Sequence, residues 1–208
     1  MDLKERIVVN STEMFIKRGC KTVTMDDIAT ENGISKRTLY EIFEDKSSLL
    51  KECIKAAYVT MRSATDEIFK SSENVYQLIF KTHECKSDLK FNLGISFLAE
   101  LKRYYPDIHE QFAMQFSKFH AESTVRFLKR GQEEGLILKC IDANIVTQTV
   151  IGISNMLTDE KSFSNENMTR KQVFKETVIY YIRGISTLKG IKYLDNFLNI
   201  KYDDQKEN

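Results

Sequence analysis

The sequence predicts an all-α protein. Two observations lead there. One proline (Pro106) and eight glycines in 208 residues leave too few turn formers for a sheet protein. Apolar residues also recur at three- and four-residue steps along most of the chain, which is the period of a helix with one buried face. Apolar residues make up 42% and charged residues 29%, which excludes a wholly disordered chain. At ~150 residues per domain the length allows one large domain, or a small domain joined to a larger one.

The first helix is expected over 3–18. Leu3, Ile7, Ser11, Met14, Phe15 and Arg18 share a face, and small Ser11 marks a close packing point. Gly19 follows as a stop, with Lys17 and Arg18 in the last turn, where the helix dipole favours cations. Thr24-Met25-Asp26-Asp27 then reads as a capping box with Asp in place of the usual Glu. The helix it starts ends at Asn32-Gly33. Ser35 caps a second short helix, Lys36 to Phe43, with Leu39, Ile42 and Phe43 on its inner face. Asp45 caps a long helix from Ser47 to about Lys70. Further helices are expected over 74–85, 88–105, 107–134, 143–158 and 171–188. Pro106 suits the first turn of the third of these, and Gly131 and Gly135 bracket its end. The polar run 162–170 reads as a loop and Asp203–Asn208 as a frayed tail.

Other patterns exclude function classes. With 31 basic and 30 acidic residues there is no global electrostatic signature, although a local patch suffices for a small DNA reader. The charged start, Met1-Asp2-Leu3-Lys4-Glu5-Arg6, is unlike a secretory signal, and no apolar run approaches the ~18 residues that span a bilayer. Four scattered cysteines (Cys20, Cys53, Cys85, Cys140) fit reduced, mostly buried thiols, so the expected location is the cytoplasm. His83-Glu84-Cys85 is contiguous and lacks the one-turn spacing of a helical zinc site. His109 and His120 stand eleven apart, about three turns, on a similar face, and a metal site there would need Glu122 or a distant ligand. No phosphate loop, nucleophile elbow or carboxylate pair is present, so no cofactor and no catalysis are expected.

The segment Thr24 to Phe43 carries the chemistry. Two short helices joined at Gly33 have the spacing of a helix-turn-helix, with small Ala29 where the helices cross and Gly33 where a positive φ is required. Burial of Leu39, Ile42 and Phe43 leaves Lys36, Arg37, Thr38 and Tyr40 outward. Lys36 and Arg37 stand in the first turn of their helix and Lys46 in the first turn of the next. Cations there oppose the helix dipole by ~0.3–1 kcal/mol each, so stability does not select them. Free backbone N–H groups beside Lys or Arg favour an anion, and DNA phosphate is the obvious one.

These residues resemble the DNA-binding domain of the tetracycline-repressor (TetR) family. Those that carry the resemblance are Thr24-Met25-Asp26-Asp27-Ile28-Ala29, Gly33-Ile34-Ser35-Lys36-Arg37-Thr38-Leu39-Tyr40-Glu41-Ile42-Phe43 and Lys46-Ser47-Ser48-Leu49-Leu50. The likeness runs over roughly residues 4–50 and is architectural beyond that. It implies a helix-turn-helix domain over 1–47, an effector-binding and dimerisation domain over 48–202, and a tail over 203–208. It also implies roles at matching positions. Thr24 touches phosphate, and Ser35, Lys36, Arg37 and Thr38 enter the major groove, with Arg37 suited to a bidentate guanine contact. Tyr40 places its hydroxyl on phosphate and Lys46 clamps the backbone. Many members have Gly where Arg37 stands, and relatives often carry a basic or aromatic residue in place of Glu41, which is left out of the contact set.

For the remainder the resemblance implies a small-molecule effector pocket on the middle helices, where Phe91, Phe97, Tyr104, Phe112, Phe116 and Phe119 lie. Each of these rings is also a natural core residue. The apolar stretches 143–158 and 171–188 are wide enough to pack inward and against a symmetry mate, giving a four-helix homodimer interface. A dimer lets two short helices read a palindromic operator about one DNA turn apart. The reading is thus a ligand-responsive repressor. The alternative is a helical interaction module or small-molecule carrier whose helix-turn-helix is only structural.

Overall fold

The computed structural model describes residues 1–87, 95–158, 172–173 and 175–198. Ten α-helices order these residues: α1 Leu3–Arg18, α2 Met25–Glu31, α3 Lys36–Ile42, α4 Lys46–Ser71, α5 Val75–Ser87, α6 Ile95–Tyr104, α7 Pro106–Glu133, α8 Ala143–Thr158, α9 Tyr180–Gly184 and α10 Leu188–Phe197. A π-helical turn, Lys175–Ile179, leads into α9. Among the described residues there is no strand, only an isolated antiparallel bridge between Ile137 and Ser186. The all-α expectation holds.

The chain divides into two units, one of residues 1–71 and 81–119, the other of 72–80 and the segment from 120 onward. In the first, α1 lies mainly along α4 and lightly against α2. Their shared core holds Ile7, Phe15, Val23, Ile28, Leu39, Phe43, Leu49, Leu50, Cys53, Phe97 and Leu101. The ends of these helices are closed by side chains, as the sequence requires. Asp2 and Glu5 form a capping box on α1, and the Asp45 carboxylate accepts from the Ser48 amide at 2.6 Å at the start of α4. Ser11 is fully buried, as its small size on the packed face of α1 suggested.

In the second unit Val75, Tyr76, Leu128, Leu136, Ile137, Val146, Ile179, Ile182 and Leu194 make a separate core. Here the expected helix over 171–188 is corrected. The chain leaves helical geometry after Gly184, and Ile185–Thr187 runs beside 136–138. Leu138 N–H donates to Ile185 O at 3.0 Å and Thr187 N–H to Leu136 O at 2.9 Å. Ser and Thr compete with the helix for backbone partners. The Ser186 hydroxyl bonds back to Ile182 O, and Thr187 caps a new helix, α10, by accepting from the Gly190 amide. The spacing of Ile191, Leu194 and Leu198 marks α10 in the sequence, but the expectation of one long helix hid it. The loop assigned to 162–170, the start of the helix assigned to 88–105 and the tail from 203 lie outside the described residues.

Gly190 is where this arrangement tolerates no side chain. A Cβ there would collide with the Leu136 carbonyl and the Tyr76 hydroxyl. The Tyr76 hydroxyl is itself fixed, 3.0 Å from Leu136 O and 2.7 Å from the Ser186 hydroxyl. Gly190→Ala is therefore expected to lower stability by about 3 kcal/mol, the upper range for overpacking a filled core. Urea denaturation checks this, and an unchanged midpoint would mean that the 135–138 loop gives way freely.

Candidate nucleic-acid interface

Helices α2 and α3 and the turn between them are held from below. Asn32, buried at the end of α2, accepts from the Arg6 guanidinium at its carbonyl (3.2 Å) and from Asn10 at its side-chain oxygen (3.0 Å), and donates to Ile28 O (2.8 Å). Two residues of α1 therefore fix the turn. Gly33 has φ of 63°, the left-handed region that glycine enters without a Cβ penalty. Ala29 is buried, as a close helix crossing demands. Leu39 and Phe43 go into the core and Ile42 is half-buried against it, so α3 turns Lys36, Arg37 and Tyr40 to solvent, with Thr38 half-buried.

The seven residues singled out from the sequence lie together on this face and its flank, and six of them have partners within the chain. Thr24 caps α2: its hydroxyl donates to Asp27 Oδ2 at 2.7 Å and accepts from the Asp27 amide at 3.2 Å, while its own amide donates to the same carboxylate at 2.8 Å. Ser35 caps α3 by accepting from the Thr38 amide at 3.0 Å, and the Ser35 and Thr38 hydroxyls lie 2.8 Å apart. Lys36 reaches across to Asp26, with Nζ 2.7 Å from Oδ1. Hydrogen bonding to that carboxylate raises the Lys36 pKa. Arg37 folds along α3 onto Glu41, with Nε 3.0 Å from Oε1. Tyr40 is an exposed ring, at 44% of its full area.

Lys46 takes a different place. Its ammonium donates to Lys21 O at 3.2 Å, which ties the start of α4 to the turn between α1 and α2. Partial burial lowers its pKa, an effect opposed by the charges of Asp27 and Glu100. Glu100 on α6 is a residue that sequence reasoning missed. Its carboxylate accepts from the Lys21 amide at 3.2 Å and lies where any Cβ on Gly19 would be. Burial, with the neighbouring Glu100, pushes the Cys20 thiol up to about 11. Nothing in the local sequence pairs positions 79 apart, so this contact had no signal.

The aromatic set assigned to a pocket is placed as follows. Phe97 and Phe112 are buried in the first unit's core and Phe116 packs against it, 5.8 Å from Phe112. Phe119 meets Tyr58 edge-to-face at 5.9 Å. Tyr104 is partly exposed, with the Lys21 ammonium 5.0 Å from its ring centre. Phe91 lies outside the described residues. Among the described residues no group of three His, Cys, Asp or Glu is placed to hold a metal ion, and no helix is long and apolar enough to cross a membrane.

A short outward helix with Lys and Arg in its first turn, carried by a buried helix-turn-helix, defines a class of DNA-reading proteins. Comparison with known proteins supports that class. Residues 7–53 match the family of bacterial regulatory proteins called tetR. The chain is similar to the negative transcriptional regulator IcaR of the biofilm operon icaADBC of Staphylococcus aureus, 21% identical over 147 residues that cover 65% of this chain and 79% of that protein. It is also similar to the transcriptional regulator YhgD of Bacillus subtilis, 31% identical over 94 residues, 40% of this chain and 49% of that one. A TetR-family regulator from Cytophaga hutchinsonii shares the fold, with a TM-score of 0.71 at 14% identity over 88% of this chain and 94% of that one. Residues 7–53 thus carry a DNA-binding domain of the tetR type, and the similarity to transcriptional regulators supports a DNA-binding regulator.

The capping of α2 generates a pH dependence. Hydrogen bonds from Thr24 hold the Asp27 carboxyl below its ordinary value of 3.8. A carboxyl whose folded pKa is depressed stabilises the fold fully above its unfolded pKa and loses that contribution as pH falls through the folded one. Asp27→Asn is therefore expected to lower the melting temperature by a constant amount at pH 5–7, and by less and less below pH 4. A gap that stays constant down to pH 2.5 would show that Asp27 does not carry the cap as a carboxylate.

Proposed function

We propose that the chain is a repressor that binds a palindromic operator as a homodimer and leaves it when a small-molecule effector binds. The observation that carries this reading is the outward pair Lys36 and Arg37 on a helix whose other face is locked into the core. Their place opposes the local helix dipole, so an anionic partner accounts for them better than stability does. The similarity to IcaR, which is named a negative regulator, supports repression. In this reading Arg37 offers a bidentate contact to guanine, Ser35, Lys36 and Thr38 enter the groove, and Thr24, Tyr40 and Lys46 meet phosphate.

The proposed dimer interface uses α8 and the segment from the π-helical turn through α9. On α8, Ile145, Thr149, Gly152 and Met156 fall on one exposed stripe, with Ile145 at 70% of its full area. Nothing lies within 4 Å of a Cβ built on Gly152 or Gly184, and Tyr180, four positions before Gly184, is exposed. Apolar residues on one face beside glycines suit the close approach of a second copy across a two-fold axis. The effector acts by preferring the conformation that does not bind DNA, in which α4 has shifted and the two reading heads no longer match the half-sites. A 100-fold preference is worth about 2.7 kcal/mol. The cytoplasm, where the DNA is, is the proposed location.

Selection of bound sequences from random duplex DNA tests the reading. Wild type is expected to enrich a palindrome, and Arg37→Ala to recover the same palindrome with one base position in each half-site relaxed. No enrichment by wild type would overturn it. Ile145→Glu is expected to convert the dimer into a monomer by light scattering and to weaken palindrome binding at least tenfold. A dimer that survives this change would move the interface elsewhere.

A further inference from the structure

The reading face is not simply basic. Between Thr24 and Lys46 the chain has six carboxylates (Asp26, Asp27, Glu31, Glu41, Glu44, Asp45) against three cations. Two of the six are paired with the two cations that point outward. Lys36 Nζ lies 2.7 Å from Asp26 Oδ1 and Arg37 Nε lies 3.0 Å from Glu41 Oε1. All four side chains are well exposed, Arg37 at 89%. The Arg37–Glu41 pair is an i,i+4 pair along α3, on the face that Leu39 and Phe43 leave to solvent. Exposed pairs of this kind are weak, so they add little to the fold. Each carboxylate also sits where an approaching phosphate would be repelled.

We infer that Glu41 and Asp26 are specificity-determining residues, which keep Arg37 and Lys36 off the DNA backbone until the correct bases are offered. This rests on the DNA-contact assignment proposed above. Binding to random sequence comes almost wholly from cations meeting phosphates. A single solvated phosphate offers Arg37 little that Glu41 does not already provide, so on random DNA the pair persists and no contact is gained. Guanine offers two acceptors in a fixed plane, O6 and N7, which a guanidinium meets bidentately. That exchange is favourable, so at the operator Arg37 leaves Glu41. The same holds for Lys36, whose release from Asp26 needs an acceptor in the groove. Carboxylates on the face therefore suppress random binding more than operator binding.

Neutralising either carboxylate separates the two terms. Glu41→Gln and Asp26→Asn, measured by fluorescence anisotropy on the selected palindrome and on a random duplex at several salt concentrations, read them directly. Each variant is expected to bind random duplex about tenfold more tightly, with the plot of log affinity against log salt steeper by about 0.9, the signature of one added phosphate contact. Binding to the palindrome is expected to rise only about threefold, so selectivity falls about threefold. Circular dichroism checks that each variant is folded, and the two variants test the pairs independently. Unchanged affinity and slope on random duplex, or weaker binding to both duplexes, overturns the inference. A wild-type protein that prefers no duplex instead removes the reading on which it rests, so the two failures are distinguishable.

Discussion

What α3 presents to solvent is set by what it buries. Leu39 is fully buried and Phe43 nearly so, in the same core as Ile7, Phe15, Leu49 and Leu50. A seven-residue helix has too few internal hydrogen bonds to persist alone, so its existence depends on this packing. Full burial of one such side chain contributes roughly 1.5–3 kcal/mol, several times the value of an exposed ion pair. The apolar anchors therefore fix the rotation of α3, and the polar residues follow. The turn that precedes it is fixed just as firmly, because Arg6 and Asn10 of α1 hold Asn32.

Much of this was legible in the sequence, for physical reasons that particular residues show. The start of α2 could be read from Thr24 and Asp27, since a capping box is a local device with a fixed spacing. The same is true of Ser35 on α3 and Gly33 in the turn. The failure over 171–188 has the opposite cause. The break after Gly184 depends on pairing of Ile185–Thr187 with residues near 136–138, about fifty positions away, and the periodic apolar pattern runs straight through it. Glu100 at the Gly19–Lys21 turn was hidden in the same way. Among the candidate site residues, the outward position of Lys36 and Arg37 followed from the helical period, but their carboxylate partners did not. Glu41 is one turn from Arg37 and was within reach of an i,i+4 argument, whereas Asp26 meets Lys36 only because α2 and α3 cross.

The proposed reading face is, apart from Tyr40, satisfied within the chain. Thr24, Ser35 and Thr38 close helix ends, Lys36 and Arg37 have carboxylate partners, and Lys46 binds the Lys21 carbonyl. Under the proposed assignment, contact with DNA is an exchange of partners and not a simple gain. Exchange favours discrimination, because a weak new partner does not repay the loss of the old one. It also makes Lys46 a stabilising link between α4 and the α1–α2 turn in the free protein, on the same elements that set the rotation of α3.

The most direct test of a dimeric, sequence-reading regulator is a hydroxyl-radical footprint on a duplex carrying the selected sequence. The expected result is two protected patches on one face of the DNA, related by two-fold symmetry and separated by about one helical turn, ~34–36 Å, or a little more. A single protected patch, or uniform protection along the duplex, would contradict it.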